Sequence, residues 1–162
     1  MSTPQTPKAP APDPSTPWTN AVAVTAAILA ALAAISSMLS ERNRTEAMID
    51  QIEASDQWIY YQAKGIKLTL TENKANPSAD DKAKIERYQH EQDEIHAAAK
   101  GHQASADLHR QRAMKFSHAA TISQIAIALA AISLLTKRRW FWYASMLAGG
   151  GALIFLTRGA LH

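Results

Sequence analysis

No cysteine occurs among the 162 residues, which excludes disulfides, zinc–thiolate centres and thiol catalysis. Acidic residues are confined to the stretch from Asp13 to Asp107. Beyond it come Arg110, Arg112, Lys115, Lys137, Arg138, Arg139 and Arg158, with no acidic side chain among them. Proline is almost missing after residue 17, because six of the seven prolines fall within the first 17 positions. Charge is absent from three long apolar runs. The modest net charge of +3 therefore averages apolar ends with a polar middle, in a chain long enough for one domain or one small membrane unit. Basic residues beside apolar runs are a membrane pattern, not a nucleic-acid one. No phosphate loop, nucleophile elbow or zinc-helix motif is present either. The expectation is a protein without catalytic residues, cofactor or metal, and without a nucleic-acid partner.

Fold class follows from the order of the runs. Residues 1–17 cannot form helix or sheet, since each proline lacks an amide hydrogen and fixes φ; they read as a disordered, polyproline-like tail. Residues 18–40 read as a first transmembrane helix, entered at Trp18 and uncharged over 21–39, long enough at about 1.5 Å per residue to nearly span a core of about 30 Å. A cleaved signal peptide is the rival reading because of "ALAAIS", but its leading region would be long, proline-rich and carry only Lys8. Residues 117–136 form a second span and 140–157 a third, joined by the basic loop 137–139, with 158–162 as a tail. Trp140, Trp142 and Tyr143, together with Trp18 and the cations Lys137, Arg138 and Arg139, read as residues of the membrane–water interface.

The middle, residues 41–116, reads as an antiparallel helical hairpin turning near 74–80, where "NKANPSADD" breaks the helix and Ser78 or Asp80 can cap a new one. Each arm has roughly 33 residues, about 50 Å of helix, and continues a membrane helix without a break. Apolar residues step by threes and fours in both arms. In the first arm the seam is read as Ile49, Ile52, Asp56, Ile59, Ala63, Ile66 and Leu70. In the second it is Ile85, Tyr88, Gln92, Ile95, Ala99, His102, Ala106, His109, Ala113 and Phe116. Its polar members are Asp56, Gln92, His102 and His109, with Asp56 and His102 able to pair. Neutral histidines fit such a seam as satisfied core residues, and a pH-sensing role is the lesser alternative.

A second stripe with the same spacing runs through Ala54, Trp58, Tyr61, Gly65 and Leu68. A two-helix hairpin needs one apolar stripe per arm, so the second is expected to face a different copy or a different protein, with Gly65 permitting close approach; the alternative is a wide face that covers a thicker contact within the chain. His90, Asp93, Glu94 and His96 have helical spacing that a metal site would use, but the first arm lacks the matching ligands, so they read as a solvated charged face.

Two stretches carry a resemblance: "QIEASDQWIYYQAKGIK" at 51–67 and "ISQIAIALAAISLLTKRRWFWYASMLAGG" at 122–150. With the order of three spans, they resemble an uncharacterised bacterial membrane-protein family, domain of unknown function 4337, over most of the chain after about residue 20. The resemblance implies a multi-pass protein of the bacterial inner membrane and supplies no catalytic residue. The proline-rich tail departs from the family's charged tails.

The functional expectation is a homo-oligomeric membrane scaffold or adaptor whose hairpin presents an interaction surface. Its partners would be the lipid bilayer, other copies of the chain and, in the wider case, a larger membrane complex. The alternative is an oligomeric channel or an accessory subunit of a transport complex, although no span holds an ionisable residue away from its edge. The short loop 137–139 belongs in the cytoplasm by the positive-inside rule, which places the hairpin in the periplasm. The cations Arg42, Arg44, Arg110, Arg112 and Lys115 at the hairpin's membrane end weigh the other way.

Overall fold

A computed structural model describes residues 17–76 and 78–161. The described residues are all-helical: α1 (Pro17–Glu72), α2 (Ala79–Thr136) and α3 (Arg139–Leu161). Each helix is long and apolar enough to cross a membrane. The tail up to residue 16, and Pro77 in the expected helix break, lie outside the described residues.

Local chemistry explains where the helices start and stop. Pro17 fits the first turn of α1, where its missing N–H would have no helical partner. With no further proline until Pro77, α1 continues for 56 residues, about 84 Å. It closes with the Asn73 N–H donating to the Thr69 carbonyl at 3.1 Å. Ser78 then caps α2: its hydroxyl accepts from the Asp81 N–H at 3.2 Å, and the Asp81 carboxylate accepts from the Ser78 N–H at 3.0 Å. Lys74 reaches the same carboxylate at 2.5 Å. This lysine, with the Ser78 N–H and hydroxyl, holds the Asp81 carboxyl well below the usual carboxylate range. α2 ends at Lys137, whose φ of 54° is left-handed, a conformation glycine adopts at lower cost. The α2–α3 turn is thus Lys137 and Arg138 alone.

α1 and α2 run antiparallel. The Ser40 hydroxyl donates to the Ala113 carbonyl at 3.0 Å, Glu46 meets His109, Glu53 meets His102, and Lys64 meets Glu91. The α1 numbers rise along this series while the α2 numbers fall. α3 returns along the apolar half of α2 and meets α1 at few points. The Ser145 hydroxyl of α3 donates to the Ala126 carbonyl at 2.7 Å, and the Trp142 indole N–H to the Thr25 hydroxyl at 3.3 Å.

Apart from Leu29, Ile95 and Phe116, most of the buried side chains are small. Ala33, Ser36 and Ser40 of α1, Ala119, Ser123, Ala126 and Ala130 of α2, and Ser145, Gly149 and Ala152 of α3 are all buried. Small residues let the helix backbones approach closely. Two glycines are required by contact. A Cβ on Gly149 would lie 2.6 Å from Leu29 Cδ2, and one on Gly159 would lie 2.7 Å from the Phe116 ring. Larger apolar side chains point outward: Val24, Ile28, Leu135 and Leu147 are all more than half exposed.

The seam of α1 differs from the sequence expectation. Ala54 is 2% exposed, and Trp58, Tyr61, Gly65 and Leu68 are half-buried on the side of α2. Ile49, Ile52, Ile59, Ile66 and Leu70 are between 51% and 68% exposed, and Asp56 is exposed among them. The reason is phase. Ala33, Ser36, Ser40, Asn43 and Ala47 are buried in steps of three and four, and an unbroken helix carries that phase onward to Ala54, Trp58, Tyr61 and Gly65. At about 100° per residue the isoleucines then fall on the opposite side. On α2, Ile95, Ala99, Ala106, Ala113 and Phe116 are buried, and Gln92, His102 and His109 lie between them facing α1.

Candidate functional site

The polar part of the α1–α2 pair holds the chain's chemically distinctive groups. Three arrangements occur there: a ladder of carboxylates and imidazoles, an aromatic clamp, and an outward apolar stripe.

The ladder lies in the half of the pair nearer the apolar helices. Glu46, Asp50 and Glu53 are four and three residues apart, so they share one flank of α1. His102 and His109 are seven apart on α2, as are Glu53 and Glu46 on α1, so one antiparallel alignment matches both pairs. His102 Nδ1 lies 3.0 Å from Glu53 Oε2 and 3.9 Å from Asp50 Oδ1. His109 Nδ1 lies 3.2 Å from Glu46 Oε2 and 3.3 Å from Asn43 Oδ1, and its Nε2 lies 3.8 Å from Asp50 Oδ2. The Asp50 carboxylate thus stands between the two rings. The expected Asp56–His102 pair does not form, because Asp56 is on the far face of α1. The sequence held a signal for the actual arrangement in its matching seven-residue spacings. It lacked the knowledge of which α1 face meets α2.

Farther along, Trp58 and Tyr61 enclose His96 of α2. The Trp58–His96 centroids are 5.3 Å apart, Tyr61–His96 5.6 Å and Trp58–Tyr61 5.7 Å. The two aromatics that looked surplus to a hairpin are therefore a clamp on the returning helix. Gly65 belongs to the same contact, since a Cβ there would sit 2.9 Å from Gln92 Nε2, which donates to the Tyr61 carbonyl at 3.4 Å. Tyr60 flanks Lys64, whose ammonium lies 5.3 Å from both the Tyr60 and Tyr88 rings and pairs with Glu91. That bond raises the Lys64 pKa and lowers that of Glu91, each mainly through the other. The quartet considered for metal is dispersed: His96 is in the clamp, and His90 lies exposed, 3.6 Å from Glu94.

The outward stripe has no cover among the described residues. Ile52, Ile59 and Ile66 are spaced by seven, with Ile49 and Leu70 continuing the row and open grooves beside Ile52 and Ile66. The residues read as membrane-interfacial gather at the opposite end of the molecule. Arg139 lies over the Trp18 ring at 6.0 Å, and Trp142 stacks near Tyr143 at 5.3 Å. Trp140 is 75% exposed, whereas Trp142 is drawn inward by its bond to Thr25.

The family described as Domain of unknown function (DUF4337) matches residues 18–162, and the chain belongs to that family. No curated protein and no solved structure matches the chain.

Proposed function

We propose that this chain is a multi-pass membrane protein that acts as a homo-oligomeric scaffold, using the isoleucine stripe of α1 as the contact between copies. The observation that carries the reading is the exposure of Ile49, Ile52, Ile59, Ile66 and Leu70 on a helix face otherwise surrounded by polar residues. α1 and α2 are far longer than the roughly 20 residues that a bilayer core requires, so more than half of each projects beyond it as a hairpin. Lipid solvates the outward apolar side chains of the membrane part, but the stripe lies past that region. In water such a row is a partner surface. Its seven-residue spacing fits another helix of the same kind. Asp56 within the row restricts register at some cost in stability.

The channel alternative has less behind it. Ser36, Ser123, Ser133 and Ser145, the polar groups a pore would display, are buried in helix contacts within one copy. The test is assembly size. Ile59→Glu with Ile66→Glu is expected to reduce the detergent-solubilised protein to single copies with unchanged helix content. A cysteine at Ile59, in a chain that has none, is expected to crosslink between copies. Unchanged size together with no crosslink overturns the scaffold reading, and conductance in a reconstituted bilayer would favour the channel.

The hairpin is placed in the periplasm of a bacterial inner membrane, with the Lys137–Arg138 turn in the cytoplasm. A cysteine at Ser78 is expected to label with a membrane-impermeant thiol reagent while the inner membrane is intact. Labelling only after lysis reverses the orientation.

A further inference from the structure

We propose that Asp50, Glu53 and His102 form a binding site for a divalent transition-metal ion of the zinc class, which ties α1 to α2 where the pair leaves the apolar region. One ligand atom from each of the three lies within 4.8 Å of the others. An ion of this class holds nitrogen and oxygen ligands at about 2.0–2.2 Å, so neighbouring ligands around a tetrahedral ion stand about 3.4 Å apart. The separations of His102 Nδ1 from Glu53 Oε2, 3.0 Å, and from Asp50 Oδ1, 3.9 Å, bracket that edge.

The donor chemistry selects the ion. Two carboxylates and a neutral imidazole balance a dication. The imidazole favours zinc and its neighbours over magnesium and calcium, which take oxygen ligands. The protein also supplies an outer group: the free oxygen of Asp50 faces His109, whose other nitrogen is placed by Glu46 and Asn43. Such outer partners orient ligating carboxylates and tune affinity. Glu46 is paired with Arg42 at 3.1 Å, whereas Asp50 and Glu53, three residues apart on the same flank, are like charges that repel without a cation between them. The side chains of Asp50, His102 and Glu53 are 19%, 36% and 52% exposed. The ion would therefore enter from solvent and keep at least one position for water. This assignment is independent of the proposed oligomer, since it lies on a different flank of α1 and joins two helices of one copy.

The test uses the full chain in detergent, without a polyhistidine tag, titrated calorimetrically with zinc chloride in the presence and absence of excess magnesium. One zinc per chain is expected, undisturbed by magnesium. Asp50→Asn and His102→Gln should each weaken binding by more than about 100-fold, the most that outer-shell changes alone typically reach, and His109→Gln by about 10- to 100-fold. His90→Gln, at an exposed histidine outside the site, should bind as wild type does. Zinc should also raise the melting temperature of the wild type and not that of His102→Gln. Glu53→Gln, whose side chain is half exposed, provides a ligand variant that leaves packing intact should either of the others fold poorly. No zinc uptake by the wild type overturns the proposal and leaves the ladder as carboxylate–imidazole pairs. Uptake that survives Asp50→Asn, His102→Gln and Glu53→Gln also overturns it.

Discussion

α1 and α2 leave the apolar region as a matched pair, yet their outer faces differ. Behind the seam of α2 the polar arm is charged or amide-bearing at Lys82, Glu86, Gln89, Asp93, Lys100 and Gln103. Behind the seam of α1 stand Ile49, Ile52, Ile59, Ile66 and Leu70. The difference teaches that periodicity alone does not distinguish an inner face from an outer one. In α2 only one face is apolar, and it packs on α1. In α1 two faces qualify, and the more hydrophobic one is left outside. The contact is decided instead by small residues such as the buried Ala54 and by groups that meet a specific partner: Trp58 and Tyr61 around His96, and Lys64 on Glu91.

The largest expected effect comes from overfilling the seam. Ala106 is fully buried, and Ala106→Leu is expected to cost about 3 kcal/mol, the upper range for added methylenes in a packed contact. By contrast, Ile59→Ala on the outer face is expected to change the stability of a single copy by less than about 0.5 kcal/mol. Thermal denaturation followed by circular dichroism compares them, and a large loss for Ile59→Ala in a monomeric preparation would put the stripe inside. Next is the clamp. Trp58→Ala is expected to cost about 2 kcal/mol, roughly half the loss for a fully buried tryptophan, and to show as earlier melting of the polar arms.

A smaller effect is expected at the tip of the pair, where the turn depends on one cap. Ser78→Ala removes the acceptor for the Asp81 N–H and is expected to cost about 1 kcal/mol. The ion pairs give this region a pH window. The Asp81 and Glu91 pKa values are lowered by folding. Their contribution is therefore present above the ordinary carboxylate range and is lost as pH falls through their depressed folded values. The Lys64 pKa is raised above 10.5, so its contribution is complete below that value and is lost as pH rises through the higher folded value. Protection factors for amide hydrogen exchange around residues 64–91, taken against the intrinsic rate at each pH, should accordingly fall in acid and again in strong alkali, while remaining steady between. Least of all, Gly65→Ala gains about 1 kcal/mol of helix propensity but pushes the Gln92 amide from its bond to the Tyr61 carbonyl. The two changes should nearly cancel, leaving a net shift under about 0.5 kcal/mol. A loss of several times that would show that Gln92 cannot move.

The sequence by itself determined the helices, their polar break, the α2 seam and the cluster of aromatic and basic residues at the α2–α3 turn. Each of these depends on neighbours a few residues away: uncharged runs long enough to span, a serine three residues before an aspartate, apolar steps of three and four on a helix with one candidate face. Only the tertiary structure decided which stripe of α1 meets α2. That choice is made some twenty residues earlier, where Ala33, Ser36 and Ser40 set the rotational phase of a helix that never breaks. Once the phase is fixed, Asp56 falls outside and Asp50 and Glu53 turn toward His102. Trp142 reaches Thr25 across 117 positions by the same kind of long-range placement. Local patterns specify a helix and its candidate faces. The face that is buried depends on where close backbone approach is possible, and residues distant in sequence supply it.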